Sequence, residues 1–186
     1  MIQSVNFRLG DALPADVLER WKMELGGKPP DDIYQQIYRR AEIYLDAGHG
    51  ECWLRQPTIA RVVEDALLHF DGERYRLLAW NVMPNHVHAL IETRGGFPLS
   101  EILHAWKSYS AKAANKILKR QGEFWQRDYF DRFIRNAEHF AAAIAYIEEN
   151  PVKAGLARVK TDWRWSSARV RQAATGTGTA GFQPAS

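Results

Sequence analysis

NVMPNHVHALIE, residues 81–92, sets two histidines two positions apart inside an otherwise apolar run. Side chains on a strand alternate between faces, so His86 and His88 project together while Val87 projects the opposite way. Leu77, Leu78, Trp80 and Val82 form one strand-like run before them, and Val87, Leu90 and Ile91 form a second. Pro84-Asn85 supplies the turn between the runs. The stretch therefore predicts a β-hairpin that presents two imidazoles on one face of its second strand. Two readings of the pair stand. They are half-buried histidines satisfied by neighbouring carbonyls, or two ligands of a divalent metal whose remaining ligands lie elsewhere.

Outward from the hairpin, residues 2–9 read as a first strand. Helices are predicted over residues 14–25 and 31–47, the second stopped by Gly48-His49-Gly50. From Pro57, the residues Ile59, Val62, Val63, Ala66, Leu67 and Phe70 keep helical spacing up to Asp71-Gly72. Beyond the hairpin, Leu99, Ile102, Leu103, Trp106, Ala113 and Ile117 mark a long amphipathic helix. A loop over 122–135 leads into a further helix over 136–150, ended by Pro151. Strands flanked by helices, with at least one antiparallel hairpin, point to an α+β fold in which helices pack on an antiparallel sheet. One domain over residues 1–171 is expected, and 172–186, ending TGTGTAGFQPAS, reads as a disordered tail.

The 186 residues suffice for one well-buried core and do not require two. The formal net charge is only +3, but its distribution is uneven. Between His104 and Arg135 there are eight Lys or Arg against three Asp or Glu, a net of +5 that suits a polyanion. Between Asp31 and Asp65 there are four against seven, a net of −3 that reads as plain solvated surface. Cys52 is the only cysteine, which excludes a disulfide framework and a Cys-rich zinc site and fits a reducing compartment. No window approaches a membrane span, and the N-terminus lacks the basic and apolar regions of a signal peptide, so a cytoplasmic protein without a membrane partner is expected.

On the helix over 136–150, Phe140, Ala143, Ile144 and Ile147 make the buried stripe, and Tyr146 borders it. Asn150 follows Tyr146 by one helical turn, so a phenol and an amide oxygen share a flank and are expected to face outwards together. A boundary Tyr with a helix-ending Asn would explain the pair. So would a metal site, because an amide oxygen and two imidazoles make a three-ligand set for Mg²⁺ or Mn²⁺ with positions left for phosphate oxygens.

These stretches together resemble the IS200-like single-tyrosine transposases of the HUH superfamily, in particular the REP-associated tyrosine transposases. The resemblance runs over residues 2–170, through NFRLGDALP, WNVMPNHVHALIE, LSEILHAWKSYSAKAAN, FWQRDYFDRFIRN, YIEENPVKAGL and WRWSSAR. It implies a ferredoxin-like sheet, the HUH endonuclease fold, with the histidine strand at its centre and single-stranded DNA hairpins of REP-like repeats as substrate. His86 and His88 match the metal-binding histidines and Tyr146 matches the nucleophile. Asn150 stands where related transposases place a Gln as third ligand, and is shorter by one methylene.

The implied chemistry is attack of Tyr146 on a phosphodiester, giving a 5′-phosphotyrosine and a free 3′-hydroxyl. Tyr109 and Tyr129 have Ala113 and Phe133 one turn on, with no ligand, and read as stacking or packing residues. Lys107, Lys112, Lys116, Arg127, Arg132 and Arg135 are candidates for strand contacts, with Trp125, Tyr129 and Phe130 as stacking surfaces. His49, His69, His104 and His139 read as surface or structural. A repeat-binding protein that scarcely cuts, and a metal-dependent phosphodiesterase that uses water, are the alternatives. Monomer and dimer both remain open.

Overall fold

The computed structural model describes residues 1–176. In chain order it contains β1 (Ile2–Arg8), α1 (Ala15–Glu24), α2 (Pro30–Asp46), α3 (Pro57–Leu68), β2 (Tyr75–Val82), β3 (His86–Thr93), α4 (Leu99–Ile117), β4 (Phe130–Phe133), α5 (Ala137–Lys153) and α6 (Ser167–Gly176). The strands form one antiparallel sheet in the order β2-β3-β1-β4. This is the ferredoxin-like arrangement, and the histidine strand β3 is interior, as expected. Among the described residues no helix is long and apolar enough to cross a membrane.

Alternation along β3 divides the core. Val87, Ala89 and Ile91 join the larger cluster with Ile102, Leu103 and Trp106 of α4 and Ile59 and Val63 of α3. Leu90 turns the other way, with Ala79 of β2 and Ile147 of α5. Helices α3 and α4 therefore cover one face of the sheet, and α5 covers the face that carries the histidines. Side chains of α2 reach that second face near β4, where the Tyr38 and Phe130 rings meet edge to face at 5.5 Å.

The pairing of β2 with β3 shifts register between Leu77 and Ala79. The extra residue, Leu78, reverses the parity of the strand. Tyr75 and Leu77 face the large core before it and Trp80 and Val82 face it after, which turns Ala79 and Asn81 towards α5. Asn81 then lies opposite His88 in register.

Three features depart from the sequence reading. The 122–135 segment contains β4, which pairs with Gln3–Asn6 of β1, since four residues with mixed polarity carry too little pattern to be read without their partner. Helix α5 continues past Asn150 to Lys153 with Pro151 inside it. Residues 172–176 extend α6 instead of opening a disordered tail, and the rest of that tail lies outside the described residues.

Candidate active site

Both histidines are fully buried, His86 at 0% and His88 at 1% exposure, deeper than the half-buried pair that was one reading of the hairpin. The tight turn brings Asn85 beside His86. The Asn85 side chain donates through Nδ2 to the His49 carbonyl (2.8 Å), so its Oδ1 accepts from His86 Nδ1–H (2.7 Å). That bond fixes the tautomer and leaves a lone pair on His86 Nε2. The Nε2 atoms of His86 and His88 lie 3.0 Å apart. On the far side of His88, Asn6 Nδ2 is 3.5 Å from Nδ1, whereas Asn150 Nδ2 approaches the Nε2 that faces His86, at 3.4 Å. Burial is the main force pushing both imidazoles towards the neutral form, His86 well below its ordinary range and His88 to about 3.

Helix α2 supplies two carboxylates to the same face. Asp46 Oδ1 is 3.5 Å from His86 Nε2, and burial, then the neighbouring Glu42, raises the Asp46 pKa to about 6. Glu42, one turn earlier, faces the Tyr38 and Tyr146 phenols and is itself raised by burial. These residues belong to the acidic stretch that the charge count assigns to solvated surface. Their spacing on α2 was the available signal, but nothing in the sequence aims that helix at the histidines. Asn6 and Asn85 were likewise unmarked, and each became a site residue only through pairing or turn geometry.

Tyr146 stands over this group. Its ring meets His88 edge to face at 5.6 Å, and the Lys153 ammonium sits 4.6 Å from its centroid. Burial first, then Glu42, raises the phenol pKa far above its ordinary value, so this pocket holds Tyr146 protonated. Tyr146 opens on a groove of about 530 Å³ lined also by Glu42, Arg132, His139, Glu149 and Lys153. Asn150 does not face outwards beside it. Asn150 is fully buried and points to His88, because the flank it shares with Tyr146 is the one α5 lays against the sheet.

The donor set fits a divalent cation. Ligand atoms of Asp46, His86 and His88 all lie within 4.8 Å of one another. Lone pairs converging at such distances repel unless a proton or a cation lies among them. Asp46 Oδ1 and Asn150 Oδ1 are also buried without hydrogen-bond partners, and rotation of the Asn150 amide would turn its oxygen to the same point. Asp46→Asn is expected to weaken Mn²⁺ binding by at least about 10-fold, a loss seen even for residues one shell from a metal. Asn150→Ala is expected to do less, since water can replace a neutral ligand. Calorimetric titration checks both, and equal affinities in Asp46→Asn and the unmodified protein would remove Asp46 from the ligand set.

The basic candidates do not form one surface. Arg132 lines the Tyr146 groove. Lys107 and Arg127 line a separate groove of about 430 Å³ between α4 and the 122–129 segment. There Lys107 donates to the Gln126 (2.6 Å) and Arg127 (2.7 Å) carbonyls, which ties α4 to the segment. Lys112 and Lys116 are exposed on α4, across the sheet from Tyr146, and Arg135 is exposed just before α5. Trp125 and Phe130 are buried, whereas Tyr129 is half-buried in the second groove.

Comparison with known proteins gives matches of three kinds. Residues 58–150 match the family described as "Transposase IS200 like". A REP-associated tyrosine transposase of Escherichia coli is 25% identical over 111 residues, covering 59% of this chain and 65% of the relative. A Haemophilus influenzae protein assigned to the same class is 27% identical over 103 residues, covering 50% of this chain and 58% of the relative. The aligned part thus spans less than two thirds of either curated relative. Among solved structures, a REP-associated tyrosine transposase bound to a REP hairpin superposes with a TM-score of 0.59 at 18% identity, covering 100% of this chain and 93% of the other. That likeness concerns the fold.

Proposed function

Because the chain belongs to the IS200-like transposase family, we propose that it cuts and rejoins single-stranded DNA beside REP-like hairpins, with Tyr146 as nucleophile. One observation carries the reading: Tyr146 packs its ring against His88, one of two converging imidazoles, and also lines the groove that carries Arg132 and Lys153. Tyr146 Oη attacks phosphorus, a 5′-phosphotyrosine bond forms and the P–O3′ bond breaks. The phenolic proton leaves towards the Glu42 carboxylate that faces it, and the departing 3′ oxygen takes up a proton. One phosphodiester is exchanged for another, so a second 3′-hydroxyl can reverse the step without a nucleotide cofactor. His86, His88 and Asp46 or Asn150 would hold Mg²⁺ or Mn²⁺, which when bound polarises a phosphate oxygen and favours phenolate. Arg132 and Lys153 carry positive charge at the groove where the strand enters. A reducing cytoplasm suits the lone Cys52.

The test is incubation of hairpin oligonucleotides carrying single-stranded flanks with the protein and Mn²⁺, followed by denaturing gels. A product retaining the 3′ fragment on the protein is expected. A free 5′-phosphate end without adduct would mean that water attacks. A second reading, hairpin binding with little cleavage, is favoured by the burial and the neighbouring Glu42 that keep Tyr146 protonated, and would give a bound hairpin and no product.

Arg132→Glu is expected to slow adduct formation even at saturating DNA, because its charge lines the reacting groove. Lys112→Glu with Lys116→Glu is expected to weaken binding and lower the salt slope by about one for each phosphate no longer neutralised, with little change at saturation. Filter binding across a salt series, combined with single-turnover rates, separates the two. Identical behaviour of both variants would remove the distinction between the two surfaces.

A further inference from the structure

We propose that Asn81 is the positioning residue that sets the station of Tyr146, by supplying from β2 the hydrogen bond that Pro151 cannot make. Proline inside a helix has no N–H for the carbonyl four residues earlier, and its ring crowds that carbonyl. For Pro151 that carbonyl belongs to Ile147, the residue after Tyr146. Asn81 Nδ2 donates to the Ile147 oxygen at 2.9 Å. Ile147 is fully buried, so water cannot replace this donor, and an unmet buried carbonyl is costly.

The bond has a defined place in the site. Asn81 faces α5 only because Leu78 shifts the register of β2, and in that register it pairs with His88. Asn6 of β1 pairs with His88 from the other side. The amide of Asn81 thus ties helix α5, between Tyr146 and Asn150, to the strand neighbour of His88. Sliding or rotation of α5 along the sheet would move Tyr146 and Asn150 together relative to the histidines. Pro151 frees the carbonyl and Asn81 takes it, so the pair acts as a latch across the two elements that carry the site.

This inference rests on the reading of Tyr146 as nucleophile, and the experiment separates the two. Asn81→Ala, Pro151→Ala and the double variant are compared for thermal midpoint without DNA and for single-turnover adduct formation. Alanine at 151 restores a backbone N–H within the helix, so the double variant has a donor for Ile147 again. Asn81→Ala is expected to lower the midpoint by about 2–10 °C and to slow adduct formation by about 10- to 100-fold, the scale of a misplaced reacting group. Hairpin affinity should hold. Pro151→Ala should stay close to the unmodified protein, and the double variant should recover at least about half of both losses, since the two changes share one hydrogen bond.

A double variant no better than Asn81→Ala, or an Asn81→Ala protein with unchanged midpoint and rate, overturns the proposal. If Asn81→Ala does not fold, a folded double variant still supports the latch and an unfolded one overturns it. Recovery of midpoint without recovery of rate leaves a structural cap and overturns the positioning role. If the unmodified protein forms no adduct on Tyr146, the nucleophile reading fails, and the thermal comparison still decides whether Asn81 replaces the donor.

Discussion

Tyr146→Phe is expected to eliminate the covalent protein–DNA product while leaving the fold and hairpin binding intact. The variant keeps the ring that packs against His88 and lies under the Lys153 ammonium, and removes only the hydroxyl. Glu42 loses one of the two phenols that face it but keeps Tyr38, so the stability cost should be about 1 kcal/mol or less, at most the net worth of one hydrogen bond. Among the described tyrosines Tyr38 shares Glu42 and the groove with Tyr146, but only Tyr146 has a ring contact with His86 or His88. Tyr109 is 59% exposed on α4, across the sheet, and Tyr129 lines the second groove. Mass spectrometry of the unmodified reaction should find the nucleotide on the peptide that contains Tyr146. Undiminished cutting by Tyr146→Phe would mean that water is the nucleophile. An adduct on Tyr109 or Tyr129 would keep the reaction class and displace the assignment.

His86→Ala and His88→Ala are each expected to reduce adduct formation by at least about 100-fold, the scale of losing the groups that stabilise developing charge. Their burial adds a second effect. Removing His86 leaves Asn85 Oδ1 without its donor, and removing His88 leaves the Asn6 and Asn150 amides facing a void. Each truncation should therefore also cost about 1–3 kcal/mol for the stranded polar groups. His88→Phe fills most of the space and separates the causes, since it restores volume but no ligand. Mn²⁺ gives a readout independent of cutting. A ligand at about 100 times its Kd adds about 2.7 kcal/mol to the folded state, or about 5–10 °C in a chain of this size. That rise is expected in the unmodified protein and absent in all three variants. A full Mn²⁺ response in His88→Phe would take His88 out of the ligand set.

Much of the scaffold was legible because its signals are local. Helical spacing from Pro57 and along Leu99–Ile117 reports an amphipathic face whatever lies opposite, and Pro84-Asn85 makes a turn whatever it joins. The four residues of β4 were not legible, because their strand character exists only in pairing with β1. The continuation of α5 through Pro151 was not legible either, because the donor that makes it tolerable comes from β2, far earlier in the chain.

By itself, the sequence determined that His86 and His88 share a face, that Tyr146 and Asn150 share a flank, and that both pairs lie on regular elements, because strand and helix periods are properties of the backbone alone. Tertiary structure decided which face is buried, which flank meets it, and which distant groups complete the site. Asp46 reaches the histidines and Glu42 reaches Tyr146 through the packing of α2, Asn6 through cross-strand register, and Asn81 through a one-residue bulge. Periodicity states how side chains are arranged around their own axis. The relative placement of two axes is set by the burial of apolar surface and by buried polar groups finding partners, which depends on the whole chain at once.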